Sequence, residues 1–245
     1  MKSCLTILKP YLDDFRKAIN FLNSSNQRIG AYKSYCLSMG VTPRKFGVDI
    51  EVRWNSTFLM LKHLVPHRST FSVFIQTQYP MQEGSPPLLT SNHWTVADKV
   101  LSFLQLFYDC TVALSGVYYP TSPLMLHQIL KIARHLNTYE NDELLRQAVV
   151  PMKDKFLKYW RQIPLLYAFA FILDPRAKMR GFHKILLRLS ALTGTYYSRL
   201  PHKVRSQLTN TFQLYESKFG DVRLRAQNQM SGANQGKNKM AWDDI

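Results

Sequence analysis

The chain has 245 residues and carries 32 Lys and Arg against 16 Asp and Glu, a formal net charge of +16 at pH 7. Its 46% hydrophobic and 13% aromatic residues can fill a packed core, which excludes a disordered, fibrous or collagen-like protein. No run of about 18 uncharged apolar residues occurs, and Lys9 interrupts the first apolar stretch. We therefore expect a soluble intracellular protein without a membrane span or signal peptide.

The N-terminal third predicts two paired helices followed by a short strand. Apolar residues recur at helical spacing from Leu5 to Leu22, and Asn23 to Ser25 can cap a second helix that Gly40 ends. Residues 48–52 alternate apolar and acidic side chains, which is typical of a half-exposed strand. This segment is the best strand candidate in the chain.

A further helix is predicted directly after that strand. Asn55, Ser56 or Thr57 can cap it, and Pro66 interrupts it before another apolar run. A loop rich in Pro and Gly, from Tyr79 to Ser91, then separates two sub-regions.

The second sub-region is predicted to be helical throughout. Its apolar residues recur with a period of about 3.6, and Ile163 to Leu173 is so apolar that we expect a buried helix there. The predicted helices cover 94–117, 122–136, 142–160, 163–173, 177–192 and 201–219. The polar, Gln- and Asn-rich tail that follows is predicted to be disordered.

Positive charge is concentrated near the C-terminus. Between Arg176 and Arg225, eleven Lys and Arg stand against two acidic residues, a net charge of +9. Such a concentration is expected of a surface that faces a polyanion, although a set of solvated helix faces has the same composition.

Motifs for cofactors and metals are absent from the sequence. It has no phosphate-binding P-loop, dinucleotide-binding glycine motif or His-Glu-x-x-His motif, and its three cysteines are too widely spaced for a disulfide framework or a zinc site. His63 and His67 have Pro66 between them and no third ligand nearby, so surface or capping roles are favoured. We therefore predict no metal, no cofactor and no small-molecule substrate.

Four blocks, in order, resemble the hAT superfamily of DNA transposases, particularly the plant Ac-like and RICESLEEPER-like proteins with BED zinc fingers. The first is Arg53-Trp54-Asn55-Ser56-Thr57, which matches the family's Arg-Trp-Asn-Ser-Thr block. The later blocks are Leu114–Thr121, Met152–Trp160 and Ile172–Lys178. The resemblance covers roughly Leu8 to Phe219.

This resemblance implies a mainly α chain: the helical insertion of a hAT-type transposase with a remnant of its ribonuclease-H-like α/β core. Residues 1–78 would hold the core remnant and the start of the insertion, 92–220 the hAT-like helical region, and 221–245 the disordered tail. In such transposases two Asp and one Glu hold divalent metal for strand cleavage. Their sequence blocks are missing here, and Asp49 is rejected as a substitute because it has no carboxylate partners. We therefore predict no catalytic residues and no enzyme activity.

The resemblance also implies DNA-binding residues. In the resembling transposases the Trp of the first block stacks on an extruded base, a role that would fall to Trp54, with Arg53 on phosphate. The alternative for Trp54 is a buried aromatic at the start of a helix. Arg176 is expected chiefly to bond Asp174 and close a helix. The predicted DNA-binding residues are Arg53, Trp54, Arg176, Lys178, Arg180, Lys184 and Arg188.

The predicted function is that of a nuclear, DNA-binding, hAT transposase-like protein, a catalytically inactive fragment or domesticated derivative. Its expected partners are DNA and related hAT-like proteins, without a membrane. The alternative is a helical protein-interaction module that pairs with related hAT-like proteins, because a piece of a split core exposes apolar surface.

Overall fold

The computed structural model describes residues 8–80 and 84–235, with side chains through residue 220. These ranges contain ten α-helices and no strand, which confirms the prediction of a mainly α chain. The helices are α1 (Lys9–Asn23), α2 (Asn26–Ser38), α3 (Trp54–Leu64), α4 (Arg68–Gln78), α5 (Ser91–Leu114), α6 (Met125–Tyr139), α7 (Arg146–Trp160), α8 (Leu165–Leu173), α9 (Lys178–Thr193) and α10 (Leu200–Gln235). None of them is both long and apolar enough to cross a membrane.

A first hydrophobic cluster joins α1 to α5. Phe15 and Ile19, four residues apart on α1, are completely buried in it, as an amphipathic helix requires. Phe58 of α3 stacks on Tyr108 of α5 with ring centres 4.7 Å apart. The cluster thus fixes α3 against α5 and leaves one face of α1 free for the loop that precedes α3.

A second hydrophobic cluster joins α6, α8, α9 and the start of α10. Helix α6 belongs to both clusters, because Leu136 near its C-terminal end packs in the first and Leu126 near its N-terminal end packs in the second. Helix α8 is covered on one side only, since Phe171 is buried whereas Leu166 is exposed. The helix expected at this position is therefore present, but it is buried on one face and not throughout.

The predicted strand at residues 48–52 is also wrong, because the chain there forms neither strand nor helix. Residues 48–53, which we call the strap, lie against α1 instead of against a second strand. The acidic side chains of the strap bond α1: Glu51 pairs with Lys9 at 2.7 Å and Asp49 with Arg16 at 2.6 Å. The alternation of apolar and acidic residues therefore reflects two ion pairs, and Ile50 and Val52 face solvent.

The predicted breaks between helices are largely confirmed. Pro66 lies in a 3₁₀ turn between α3 and α4, and Gly40 follows the end of α2 with a φ of +68°, the left-handed conformation that glycine adopts most readily. The last helix continues to Gln235, so the backbone is helical over 221–235, where the sequence predicted a disordered tail. The remainder of that predicted tail, 236–245, lies outside the described residues.

Candidate nucleic-acid interface

The strap holds Arg53 and Trp54 at the start of α3 through a buried ion pair. The Asp49 side chain is 0% exposed. Arg16 donates from Nε to Oδ1 at 2.6 Å and from Nη2 to Oδ2 at 2.8 Å, and the Thr57 hydroxyl donates to the same Oδ2. Both oxygens of Asp49 are thereby occupied, so this carboxylate anchors the strap to α1 and to α3.

The ionisation of Asp49 follows from these bonds. Burial alone would raise the pKa of its carboxyl, but the hydrogen bonds from Arg16 and Thr57 outweigh burial, and the pKa lies below its ordinary value. The hydrogen bond to Asp49 in turn raises the pKa of Arg16. The pair is therefore fully charged at neutral pH.

The block that resembles the transposases closes a tight turn. The Ser56 hydroxyl accepts the backbone N–H of Ile50 at 2.9 Å and donates to the Arg53 carbonyl at 2.6 Å. Helix α3 begins at Trp54 without a side-chain cap, so the prediction of a cap at Asn55, Ser56 or Thr57 was wrong. The hydroxyls of Ser56 and Thr57 bind the strap instead.

Trp54 and Arg53 lie in different environments. Trp54 is half-buried, with its ring edge-on to Phe107 at 6.3 Å between ring centres. Arg53 is exposed, and its side chain has no ion-pair partner in the described part of the chain. Part of the indole packs in the protein, in line with the core interpretation, while the adjacent guanidinium is available to an anion.

A second group of predicted residues meets at a cleft between α6, α8 and α9. The cleft measures about 380 Å³, and its lining includes Arg176, Lys184 and Arg188. Lys184 and Arg188 are four residues apart and share one face of α9. Both are exposed and have no ion-pair partner among residues 8–80 and 84–220.

The third cation of this cleft is paired. Arg176 bonds Asp174 from Nη2 at 2.7 Å and from Nε at 3.0 Å, as the sequence predicted. These hydrogen bonds lower the pKa of Asp174 to about 2. Asp174 therefore stays charged and offsets part of the Arg176 charge, which leaves Lys184 and Arg188 as the cations that an anion would meet unopposed.

Other predicted residues lie outside the cleft, and one contributor was missed. Lys178 and Arg180 are exposed on α9 but do not line the cleft, and Trp54, with the exposed Arg53 beside it, packs against the first hydrophobic cluster. His127 of α6 also lines the cleft, with its ring centre 5.5 Å from that of Phe171. The periodicity of α6 could not single out His127, because its role depends on how α6 packs against α8 and α9.

Comparison with known families gives two matches. Residues 1–103 match the ZBED1 RNase-like helical domain, and residues 123–215 match the family described as hAT-like transposase, RNase-H fold. These bounds differ from the division at residues 78 and 92 that we predicted. No solved structure matches the chain.

Three related proteins show how much of a larger protein the chain represents. It is 26% identical over 170 residues to the zinc finger BED domain-containing protein RICESLEEPER 2 of Oryza sativa subsp. japonica, a match of 68% of this chain and 23% of that protein. It is 30% identical over 145 residues to a Zea mays protein named as an AC transposase, covering 55% of this chain and 18% of that one. It is 29% identical over 177 residues to a Talaromyces stipitatus protein named as the transcriptional regulator tpeD, covering 70% and 18%.

The chain thus spans less than a quarter of the length of these relatives. The two family matches cover most of it, and the blocks that carried the resemblance lie at the turn before α3, after α5, in α7 and at the junction of α8 and α9. Together they show that the chain carries a ZBED1 RNase-like helical domain and a hAT-like transposase domain with an RNase-H fold, and that it is similar to the RICESLEEPER-type BED zinc finger proteins.

Proposed function

We propose that the chain is a DNA-binding, hAT transposase-like protein of the nucleus. The observation that carries this proposal is the cleft in which Lys184 and Arg188 have no ion-pair partner among the described residues, while the acidic residue of the lining, Asp174, is bonded to Arg176. Relatives named as zinc finger BED proteins, as a transposase and as a transcriptional regulator support it. The net charge of +16 supplies the long-range attraction that a polyanion needs.

Binding of this kind should be strongly salt-dependent. Each cation on a phosphate displaces a condensed counterion, so the logarithm of the binding constant falls with the logarithm of salt by about 0.9 per contact. Replacing Arg180, Lys184 and Arg188 with Ala should therefore reduce that slope by up to about 2.7 if all three contact phosphate. It should weaken binding to every sequence alike, because phosphate contacts carry no base information.

Fluorescence anisotropy with a labelled duplex at several salt concentrations measures this slope. A matched control replaces Lys33, Arg44 and Lys45 with Ala, which removes the same charge from exposed positions on α2 and the loop after it. An equal loss of slope in both variants would indicate a diffuse charge effect and contradict a DNA face on α9.

We further propose that the chain does not cut or join DNA by itself. Asp49, the carboxylate rejected above as a substitute metal ligand, has both oxygens occupied by Arg16 and Thr57. The described residues also contain no group of three or more His, Cys, Asp or Glu side chains placed to hold a metal. We expect no nicked or joined product from supercoiled DNA with Mg²⁺ or Mn²⁺. Cleavage that Asp49→Asn abolishes would show that Asp49 is a catalytic ligand after all.

A second candidate is a helical module that pairs with related hAT-like proteins. It is favoured by the apolar side chains Phe212, Tyr215 and Phe219, which recur along α10 and are each more than half exposed. A mass that rises with protein concentration, together with DNA retention that does not respond to salt, would favour this candidate over DNA binding.

A further inference from the structure

A second basic pocket lies where the end of α7 meets the start of α10. It measures about 430 Å³, and its lining includes three cations, Arg161, Arg199 and Lys203, and no acidic residue. All three are exposed and have no ion-pair partner within residues 8–80 and 84–220. The motif comparison with transposases did not select any of them.

The pocket is held in shape by buried contacts beneath it. Tyr197 is buried, and its hydroxyl donates to the Trp160 carbonyl at 2.8 Å. This bond fixes the last turn of α7 against the turn before α10, while Ile163 and Val204 pack underneath. Arg161 is adjacent to Trp160 and Arg199 follows Tyr197 by two residues, so the cations converge on a rigid base.

The charge arrangement calls for an anion. Three positive charges converge at the N-terminal end of α10, where the helix dipole is also positive. The cations therefore repel one another and are repelled by this end of the helix. A bound anion relieves both effects, and the guanidinium groups of Arg161 and Arg199 match phosphate oxygens in geometry.

An aromatic ring stands at the mouth of this pocket. Tyr196 lines it and is 92% exposed, although the preceding and following residues are more covered. An exposed ring beside phosphate-binding cations is the combination with which proteins hold single-stranded nucleic acid, because a base stacks on the ring while its phosphate meets the cations. In duplex DNA the base faces are stacked on one another, so a duplex could contact only the cations of the pocket.

We propose that this pocket binds an unpaired nucleotide of a DNA strand, with its phosphate on Arg161, Arg199 and Lys203 and its base on Tyr196. The inference rests on the proposed DNA binding and assigns a strand-selective subsite to it. It predicts that an unpaired strand gains affinity from Tyr196, whereas a duplex does not.

The test compares the full chain and its variants on a single-stranded oligonucleotide and on a duplex of equal length, at one fixed salt concentration. Tyr196→Ala should weaken single-strand binding by about 5- to 150-fold, the range that loss of one stacked base gives. It should leave duplex binding within about twofold, because the duplex offers no free base face. Tyr118→Ala, which removes another highly exposed tyrosine, in the loop between α5 and α6, is the matched control and should change neither.

The cations are tested together by replacing Arg161, Arg199 and Lys203 with Ala, with the Lys33, Arg44 and Lys45 triple as control. The pocket triple should also abolish the extra affinity for single strands that Tyr196 gives to the wild type. If the wild type binds duplex DNA, but Tyr196→Ala and the cation triple bind single strands as tightly as the wild type does, the pocket inference fails and the proposed function stands. Equal weakening of single-strand and duplex binding by Tyr196→Ala also overturns it, and a wild type that binds neither form overturns both proposals.

Discussion

Replacing Arg16 with Met should lower the free energy of unfolding by about 3–5 kcal/mol, the usual effect of removing one partner of a buried ion pair. The Asp49 side chain is 0% exposed, and Arg16 supplies two of the hydrogen bonds on its oxygens. Met keeps the length and apolar character of the Arg16 stem but leaves the buried carboxylate without its counter-charge. Urea denaturation followed by circular dichroism measures the difference.

The chain offers a closely matched control in the pair Arg68–Asp98. Arg68 likewise donates two hydrogen bonds to its carboxylate, from Nη1 and Nη2 at 2.8 and 2.9 Å, but the two side chains are 44% and 43% exposed. Arg68→Met should therefore cost only about 0.2–1 kcal/mol, as surface pairs do. Equal losses in the two variants would show that burial of Asp49 does not determine the effect.

The Arg16–Asp49 pair also determines the direction in which stability changes as pH falls. Because the pKa of Asp49 is lowered in the folded state, its contribution is fully present above the ordinary Asp pKa of about 4 and is lost as pH falls through the lower folded value. In Arg16→Met the burial of the carboxyl is uncompensated, which raises its pKa and favours the protonated form. The stability deficit of the variant should therefore shrink as pH falls below about 5.

Helical periodicity predicted the fold well where a long helix packs one face on a core. Helix α9 illustrates this, because Phe182, Ile185, Leu186 and Leu189 recur at helical spacing and all are buried. The strap shows where the approach fails. Its alternation has a period of two, but Asp49 and Glu51 bond Arg16 and Lys9, and only the tertiary placement of α1 reveals this.

The candidate site was predictable to a similar degree. The sequence predicted Lys184 and Arg188 only as part of a basic segment that also holds Lys178 and Arg180, and the structure brings these two residues to one cleft. The sequence could not predict that Arg161, at the end of α7, lines one pocket with Arg199 and Lys203, because the end of α7 is joined to the turn before α10 by a tertiary contact, that of Tyr197 with Trp160. Likewise, the Arg53–Trp54 pair was selected by its resemblance to the transposase block. Only the structure shows that Asp49, Ser56 and Thr57 form the hydrogen bonds that hold the turn in which the pair lies.

Two replacements of Trp54 should distinguish a role of its ring in DNA binding from a role in core packing. Trp54→Leu keeps apolar volume against Phe107 but removes the π-face, whereas Trp54→Phe keeps an aromatic ring of smaller size. If Trp54 stacks on an extruded base, the Leu variant should lose about 1–3 kcal/mol, or about 5- to 150-fold, on DNA with an unpaired base, and much less on intact duplex. The Phe variant should retain most of that affinity.

Thermal unfolding decides between this role and simple core packing. Trp54 is half-buried, so some loss of stability is expected in both variants whatever the ring does on DNA. The stacking role requires that the two variants differ in their binding free energy for DNA with an unpaired base by more than they differ in their free energy of unfolding. If the Leu and Phe variants instead lose stability to different extents and bind both DNA forms alike, Trp54 serves only to pack α3 against α5, and Arg53 is left as the sole DNA contact of this turn.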